Sequence, residues 1–358
     1  MAGESGGAIM TRRPSGTVAV FGAYGHTGRF VAAELHRREI PAILSGRDRV
    51  KLDSLGPVHP DSDLRVASIE DPASLDRALE DADIVINCAG PFGETAPALI
   101  EAALRARCHY LDVTGEALVT IETFARYADS ELNIKRVRDA DIVLVPSMAF
   151  YGALGDLLTT VALGNWTEAD DISIAVALDS WKPTRGTRLA GERRAGRRVI
   201  FENGRVEVLP SSDQIPTAKW KFPSPFGSQE VIGEFPTVDL VTMSRHLRAA
   251  KISAFLNVAP IRDLRDPNTP GPEPADESGR SAQIFLVEVV ARRNDQKRSA
   301  IARGRDIYAI TAPIVVEAAA RILDGNVKRK GIGAAAEIFD ARDFLEALAP
   351  EHLTMEFI

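Results

Sequence analysis

Val18-Ala19-Val20-Phe21-Gly22-Ala23-Tyr24-Gly25-His26-Thr27-Gly28-Arg29-Phe30 decides how this chain folds. An apolar run with the character of a strand meets glycines at 22, 25 and 28. A helical pattern follows, with Val31, Ala32, Leu35 and Ile40 as its buried stripe. Such a turn brings the backbone N–H groups of a helix start close to a pyrophosphate. Glycine triplets also mark ordinary tight turns. Here the triplet follows a strand, opens an amphipathic helix and lies near the N-terminus, the context that dinucleotide binding requires. Gly28 falls in the first helical turn, where a missing Cβ lets helix and strand pack tightly. Tyr24, His26 and Thr27 sit among the glycines. Tyr24 and His26 either line the phosphate site or point to solvent.

The second strand reads Pro41-Ala42-Ile43-Leu44-Ser45-Gly46-Arg47. Enzymes that use NAD carry an acidic residue at this strand end, where it accepts from the ribose 2′-OH. This chain has Ser45, Gly46 and Arg47 instead, with Arg49 and Lys51 following. A guanidinium binds a 2′-phosphate through charge-assisted hydrogen bonds, and a carboxylate repels it. The charge pattern favours NADP(H) over NAD(H). The plain alternative is that Arg47 and Lys51 form a solvated helix start.

The chain has 358 residues, 45% hydrophobic and 26% charged, which suits a globular protein of two domains. Its formal net charge of −7 disfavours a general nucleic-acid binder. No apolar run approaches the ~20 residues that span a bilayer. Cys88 and Cys108 are the two cysteines and form no CxxC pair; the six histidines are scattered. Neither a disulfide framework nor a metal site is expected, and a cytoplasmic location fits. Residues 1–16 are rich in Gly and Ser and lack the apolar core of a secretory signal, so a mobile tail is expected there.

Residues 17–156 alternate strand and helix, which predicts a doubly wound parallel sheet covered on both faces. Strands are predicted near 17–22, 42–45, 64–68, 83–89, 109–113 and 142–146. Helices are predicted near 26–38, 49–55, 72–80, 95–106 and 117–138. Residues 157–308 change rhythm and predict an inserted, antiparallel-rich α+β second domain for substrate or dimer contacts. Ile172–Leu178 and Ile284–Val290 read as strands, and Glu202-Asn203-Gly204 as a hairpin turn between two more. The proline-bearing segments 209–237 and 260–282 read as loops. In residues 309–358 a helix from Thr311 stops at Gly325, and this segment is expected to return partly to the first domain.

Ligands of open parallel sheets bind outside the carboxyl ends of the strands. The fourth strand ends Asn87-Cys88-Ala89-Gly90-Pro91-Phe92, small residues against which a cofactor ribose can lie and an apolar wall for a nicotinamide. The fifth ends in Asp112 and Glu116, which either orient substrate and exchange a proton through water or serve local backbone. After the sixth comes Tyr151, a phenol able to protonate a carbonyl oxygen, or simply a packed tyrosine. Trp181-Lys182-Pro183-Thr184-Arg185-Gly186-Thr187-Arg188 opens a cationic zone, with Lys182 and Arg185 as candidates to hold a substrate anion. The later arginines 193, 194, 197 and 198 read as a solvated helix face.

These residues carry a family likeness. The chain resembles the saccharopine dehydrogenase-like NAD(P)-dependent reductases, a group that includes trans-acting enoyl reductase-like proteins. Gly22–Gly28 with Ser45-Gly46-Arg47, Asn87–Phe92 and Tyr110–Glu116 carry the resemblance, and Thr242–Leu247 and Gly304–Thr311 add to it. It implies a Rossmann domain, an inserted mixed domain and an NAD(P) cofactor. The chain departs from the family pattern at Tyr24, at His26 and at Ala149-Phe150-Tyr151.

The resulting expectation is an NADP(H)-dependent oxidoreductase that transfers hydride to a C=O, C=N or C=C bond of a small polar metabolite. The proline-rich insert does not advertise the large apolar groove of a lipid enzyme. Tyr151, Asp112 or Glu116 would supply the proton, and Lys182 and Arg185 would position the substrate. A homodimer is the prior for the assembly. Two other readings stay open: an NADP(H)-binding redox sensor or scaffold without turnover, and an epimerase or synthase that uses a retained cofactor.

Overall fold

The computed structural model describes residues 16–212 and 214–358; the tail expected over residues 1–16 lies, but for Gly16, outside the described residues. Six short strands come first: β1 (Val18–Phe21), β2 (Ala42–Gly46), β3 (Asp63–Val66), β4 (Ile84–Asn87), β5 (His109–Asp112) and β6 (Val143–Val145). They pair in parallel in the order β6-β5-β4-β1-β2-β3. Val18 and Val20 point to one face and Ala19 and Phe21 to the other, and all four are buried. A strand buried on both faces has no reason to alternate polar residues, which is why these runs are continuously apolar.

The second sheet is built from β7 (Ala169–Leu178), β8 (Arg198–Glu202), β9 (Arg205–Leu209), β10 (Thr217–Lys221), β11 (Ser228–Ile232), β12 (Ala249–Asn257), β13 (Ile284–Arg293) and β14 (Gln296–Arg305). Two late strands follow. β15 (Gly331–Ile332) joins the first sheet beside β6, and β16 (Leu353–Phe357) joins the second beside β14. The second sheet runs β10-β11-β12-β7-β13-β14-β16, with the β8–β9 hairpin attached to β12. β7 and β12 are parallel, and the other pairs are antiparallel. The architecture is therefore a doubly wound parallel sheet with a mostly antiparallel second sheet.

Three predicted elements need correction. The helix expected over 117–138 is two helices, Ala117–Tyr127 and Glu131–Ala140. The Phe124 carbonyl accepts from both Ala128 (2.7 Å) and Asp129 (3.1 Å), which closes the first, and the Ser130 carbonyl starts the second. Segment 209–237 contains the β10–β11 hairpin, because its prolines flank the strands without interrupting them. Segment 260–282 begins inside a helix, Val258–Arg265. The β8–β9 turn is as predicted, with Asn203 and Gly204 at positive φ (52° and 75°).

The C-terminal segment serves both sheets. Its helix Thr311–Leu323 packs along the helix His26–Arg37. Arg38 bridges Glu34 (2.7 Å) and Glu317 (2.6 Å), and Arg321 adds a bond to Glu317 (2.7 Å). This half-buried ion network ties the far end of the glycine-turn helix to the helix Thr311–Leu323.

Candidate functional site

β1 and β4 are neighbours whose following connections leave on opposite sides, and the crevice between them opens into a cleft of about 1650 Å³. Gly22 has φ +85°, and a Cβ there would lie 2.8 Å from the Ala89 Cβ. A Cβ on Gly28 would lie 2.2 Å from the Gly22 carbonyl oxygen. The two glycines thus let three backbone segments meet at one point. The helix His26–Arg37 begins at Gly25 with no side chain capping it, so its first N–H groups face the cleft as donors for an anion. A cradle of backbone with no side chain in it fits a pyrophosphate. Gly22, Tyr24, Gly25, His26 and Thr27 line the cleft, whereas Gly28 is buried behind them.

At the end of β2 the Ser45 carbonyl accepts from Gly22 (2.8 Å) and Ala23 (3.1 Å), and the Ser45 hydroxyl is buried without a partner among the described residues. Gly46 lies against the Tyr24 ring, whose hydroxyl accepts from the Asp48 backbone (3.1 Å). Three cations follow. Arg49 pairs with Asp53 (2.8 Å) and Lys51 with Asp48 (3.2 Å). Arg47 is exposed, lines the cleft and has no ion pair among the described residues.

Of the candidates at and after the end of β4, Cys88, Ala89, Gly90, Pro91 and Phe92 line the cleft, and Asn87 does not. Asn87 is wholly buried. Its Nδ2 donates to Thr95 (3.0 Å) and Tyr110 (3.3 Å), and its Oδ1 accepts from the Ala89 backbone (3.0 Å). It therefore shapes the loop that the cofactor candidates stand on. Burial pushes the Cys88 thiol far up, so it stays protonated.

Asp112 is the second correction. It is fully buried and lies off the cleft wall, accepting from Thr114 (3.0 Å), Ser147 (2.8 Å) and the Tyr110 hydroxyl (3.0 Å). All its lone pairs that have partners serve the ends of β5 and β6, and burial pushes its carboxyl up to about 6. Glu116 does line the cleft. It accepts from the Phe92 backbone (3.4 Å), and burial raises its pKa.

The opposite wall is made of side chains. The Tyr151 ring lies among Phe150 (4.8 Å), Phe235 (5.8 Å) and Trp181 (6.2 Å). Its hydroxyl is buried with no hydrogen-bond partner among the described residues. Burial, aided by the charge of Asp239, holds its pKa well above that of an ordinary phenol. Asp239 also accepts from the Gly152 backbone (3.0 Å), which fixes the turn that carries Tyr151. Beside it the Tyr308 hydroxyl accepts from Trp181 Nε1 (2.9 Å) and from the Thr184 backbone (3.3 Å), and shares a bond with Thr187 (2.9 Å). The His26 ring stands edge-on to Tyr308 (5.4 Å). Its Nε2 is buried and unpartnered, and burial, opposed by Asp306, lowers its pKa.

Arg185 is on this wall, exposed and without an ion pair among the described residues. Lys182 is not on it: between Trp181 and Thr184, which both line the cleft, its ammonium is paired with Glu273 (3.0 Å). Sequence reasoning does not single out Phe235, Tyr308 or Arg265, which also line the cleft. For Tyr308 the one signal is its place in Gly304–Thr311, a segment that carried the resemblance. Leu189, Ile215, Ile232, Phe235, Ile261 and Leu264 give the cleft an apolar stretch that the proline-rich insert does not advertise in its sequence.

Comparison with known proteins places this geometry. Residues 18–141 match the family described as the saccharopine dehydrogenase NADP binding domain. The human saccharopine dehydrogenase-like oxidoreductase is 32% identical over 117 residues, covering 28% of this chain and 27% of that protein. The trans-acting enoyl reductase of Mycobacterium ulcerans is 31% identical over 107 residues, covering 28% of this chain and 26% of that protein. The chain thus aligns with about a quarter of the length of these curated relatives. The apo structure of saccharopine dehydrogenase (L-Glu forming) from Saccharomyces cerevisiae superposes with a TM-score of 0.65 at 12% identity. It covers 96% of this chain and 100% of that one, a likeness of fold through both sheets. The resemblance read from the glycine turn and the ends of the fourth and fifth strands is borne out, and over residues 18–141 the chain is similar to the NADP-binding domain of the saccharopine dehydrogenases.

Proposed function

We propose that this chain is an NADPH-dependent reductase that reduces a C=O, C=N or C=C bond of a small molecule held between its two sheets. The observation that carries the reading is the pairing of a side-chain-free cradle at an uncapped helix start with a buried, unpartnered phenol across the same cleft. A bound nicotinamide nucleotide supplies the hydride. The N–H groups after Gly25 hold its pyrophosphate, and Arg47 pairs with its 2′-phosphate. Ala89–Phe92 exclude water from one side of the reacting centre. Tyr151 keeps its proton at neutral pH and gives it to the heteroatom of a reduced carbonyl or imine. Asp239 holds the Tyr151 turn, and the Tyr308 hydroxyl, already shared among three donors or partners, fixes the wall around it.

Fluorescence titration with NADPH and NADH tests this, alongside the Arg47→Glu variant. NADPH is expected to bind at least about tenfold more tightly, worth about 1.4 kcal/mol, and the variant to lose that preference. Binding of neither nucleotide overturns the reading.

A further inference from the structure

Two arginines of the cleft wall have no ion-pair partner among the described residues. Arg194 is the last residue of the helix Arg185–Arg194, and Arg265 the last of the helix Val258–Arg265. Both line the cleft, and neither forms an ion pair with a described residue. The Arg194 Nε is buried and has no hydrogen-bond partner among the described residues. Burial lowers the Arg194 pKa, and the charge of Arg265 acts in the same direction. A buried N–H of a charged group without a partner is costly, and a like charge beside it adds to the cost.

The placement is built. Arg188, six residues before Arg194, crosses to the other helix end and donates to the carbonyls of Leu264 (3.5 Å), Asp266 (3.2 Å) and Thr269 (2.7 Å). These bonds tie the first turn of the helix that ends at Arg194 to the end of the helix that carries Arg265, so the two helices are fixed to each other. The neighbouring arginines are committed elsewhere: Arg193 pairs with Glu94 (3.7 Å), and Arg198 with Glu234. Leu189 and Leu264, adjacent in chain to this framework, and Ile215 and Ile261 supply apolar cleft lining. The nucleotide's own charges have other partners, at the Gly25 helix start and at Arg47 beyond β2.

We infer that Arg194 and Arg265 form an oxyanion subsite that takes a carboxylate or phosphate borne on an apolar segment of the substrate. The inference rests on the cleft being the substrate cleft proposed above, and it goes further by naming the substrate class: an anionic amphiphile. Two guanidiniums match an oxyanion through charge-assisted hydrogen bonds, and the apolar lining takes the chain that carries it.

Octanoate, octyl phosphate and octanol are the probes, titrated calorimetrically into the full chain, with NADPH titrated separately. At least one anionic probe is expected to bind at least tenfold more tightly than octanol. Arg194→Met and Arg265→Met are each expected to weaken it at least tenfold, with NADPH affinity within twofold of the wild type. The ratio of octanoate to octyl phosphate affinity separates a carboxylate from a phosphate. The melting temperature of Arg194→Met is expected to be unchanged or higher, since its guanidinium has no partner to lose among the described residues. Octanol binding as tightly as the anions, variants that leave anion binding unchanged, or a lower melting temperature of Arg194→Met each overturn the subsite. NADPH binding with no amphiphile binding removes the subsite and leaves the reductase reading standing. Amphiphile binding that responds to both variants, without NADPH binding, does the reverse.

Discussion

The two walls of the cleft are made in opposite ways. On the side of the parallel sheet the centre of the wall, at the glycine turn, is backbone: Gly22 and Gly25 leave it bare, and the uncapped helix start supplies the donors. On the side of the antiparallel sheet it is side chains, with Tyr151, Trp181, Thr187, Phe235 and Tyr308 converging from separate segments. A backbone wall is indifferent to most side-chain chemistry and intolerant of an added Cβ. A side-chain wall is the reverse. The first suits a ligand that stays the same, and the second suits one that differs from protein to protein.

The largest effect that would test this contrast is at Gly25. A Cβ there would meet the Gly22 carbonyl at 3.1 Å and the Cys88 carbonyl at 4.0 Å, tight but short of the collisions at Gly22 and Gly28. Gly25→Val should therefore fold, as read by far-ultraviolet circular dichroism, yet fill the cradle. Its NADPH affinity is expected to fall by about 1,000-fold or more, roughly 4 kcal/mol. Wild-type affinity in this variant would mean that the nucleotide does not lie on the backbone wall.

Tyr151→Phe probes the other wall. The hydroxyl it removes has no partner among the described residues, so stability should hold or rise slightly. Turnover of any carbonyl or imine that the wild type reduces is expected to fall about 100-fold, with NADPH affinity unchanged. Full turnover in this variant would make the tyrosine packing alone.

The same contrast explains what the sequence made legible. The backbone wall comes from one contiguous motif, in which strand, glycine spacing and helix stripe all fall within Val18–Leu35, so local reasoning reaches it. That the first sheet is parallel follows from alternation of strand and helix. Tyr308 and Phe235 meet Tyr151 and Trp181 only because segments far apart in sequence converge there, and no local spacing encodes that contact. Asp112 and Asn87 misled for a related reason. They stand at strand ends, where site residues gather, and position alone does not tell a carboxylate aimed at the cleft from one turned inward on backbone N–H groups.

Asp112 sharpens the comparison through pH. Its carboxyl is raised from an ordinary 3.8 to about 6, chiefly by burial. Between those values the folded chain holds a proton that the unfolded chain has released, so this group's contribution to stability is present at low pH and is lost as pH rises through about 6. Asp112→Asn keeps the shape and carries no charge. Measured by urea unfolding, its stability relative to wild type is expected to be about 2 kcal/mol more favourable near pH 7.5 than near pH 4.5. Nucleotide affinity should not follow that change, because the carboxylate does not reach the cleft. A difference independent of pH would place the charge in a wetter setting than its burial implies.

Lys182 marks where the side-chain wall stops. It sits one residue from Trp181, whose indole is tied into the wall through Tyr308, yet its own ammonium is paired with Glu273 at 3.0 Å and lies off the cleft. The two side chains are 41% and 68% exposed, so solvent screens the pair and its worth to stability is small, about 0–0.5 kcal/mol. Lys182→Ala is therefore expected to change unfolding free energy by no more than that, and to leave NADPH affinity, KM and kcat at wild-type values. Arg185, three residues on and facing the cleft, supplies the control: Arg185→Ala is the substitution of the pair that should raise KM. If Lys182→Ala raised KM and Arg185→Ala did not, the substrate would approach from the Glu273 side. The division between a bare backbone wall and a substrate-reading side-chain wall would then have to be drawn one loop further out.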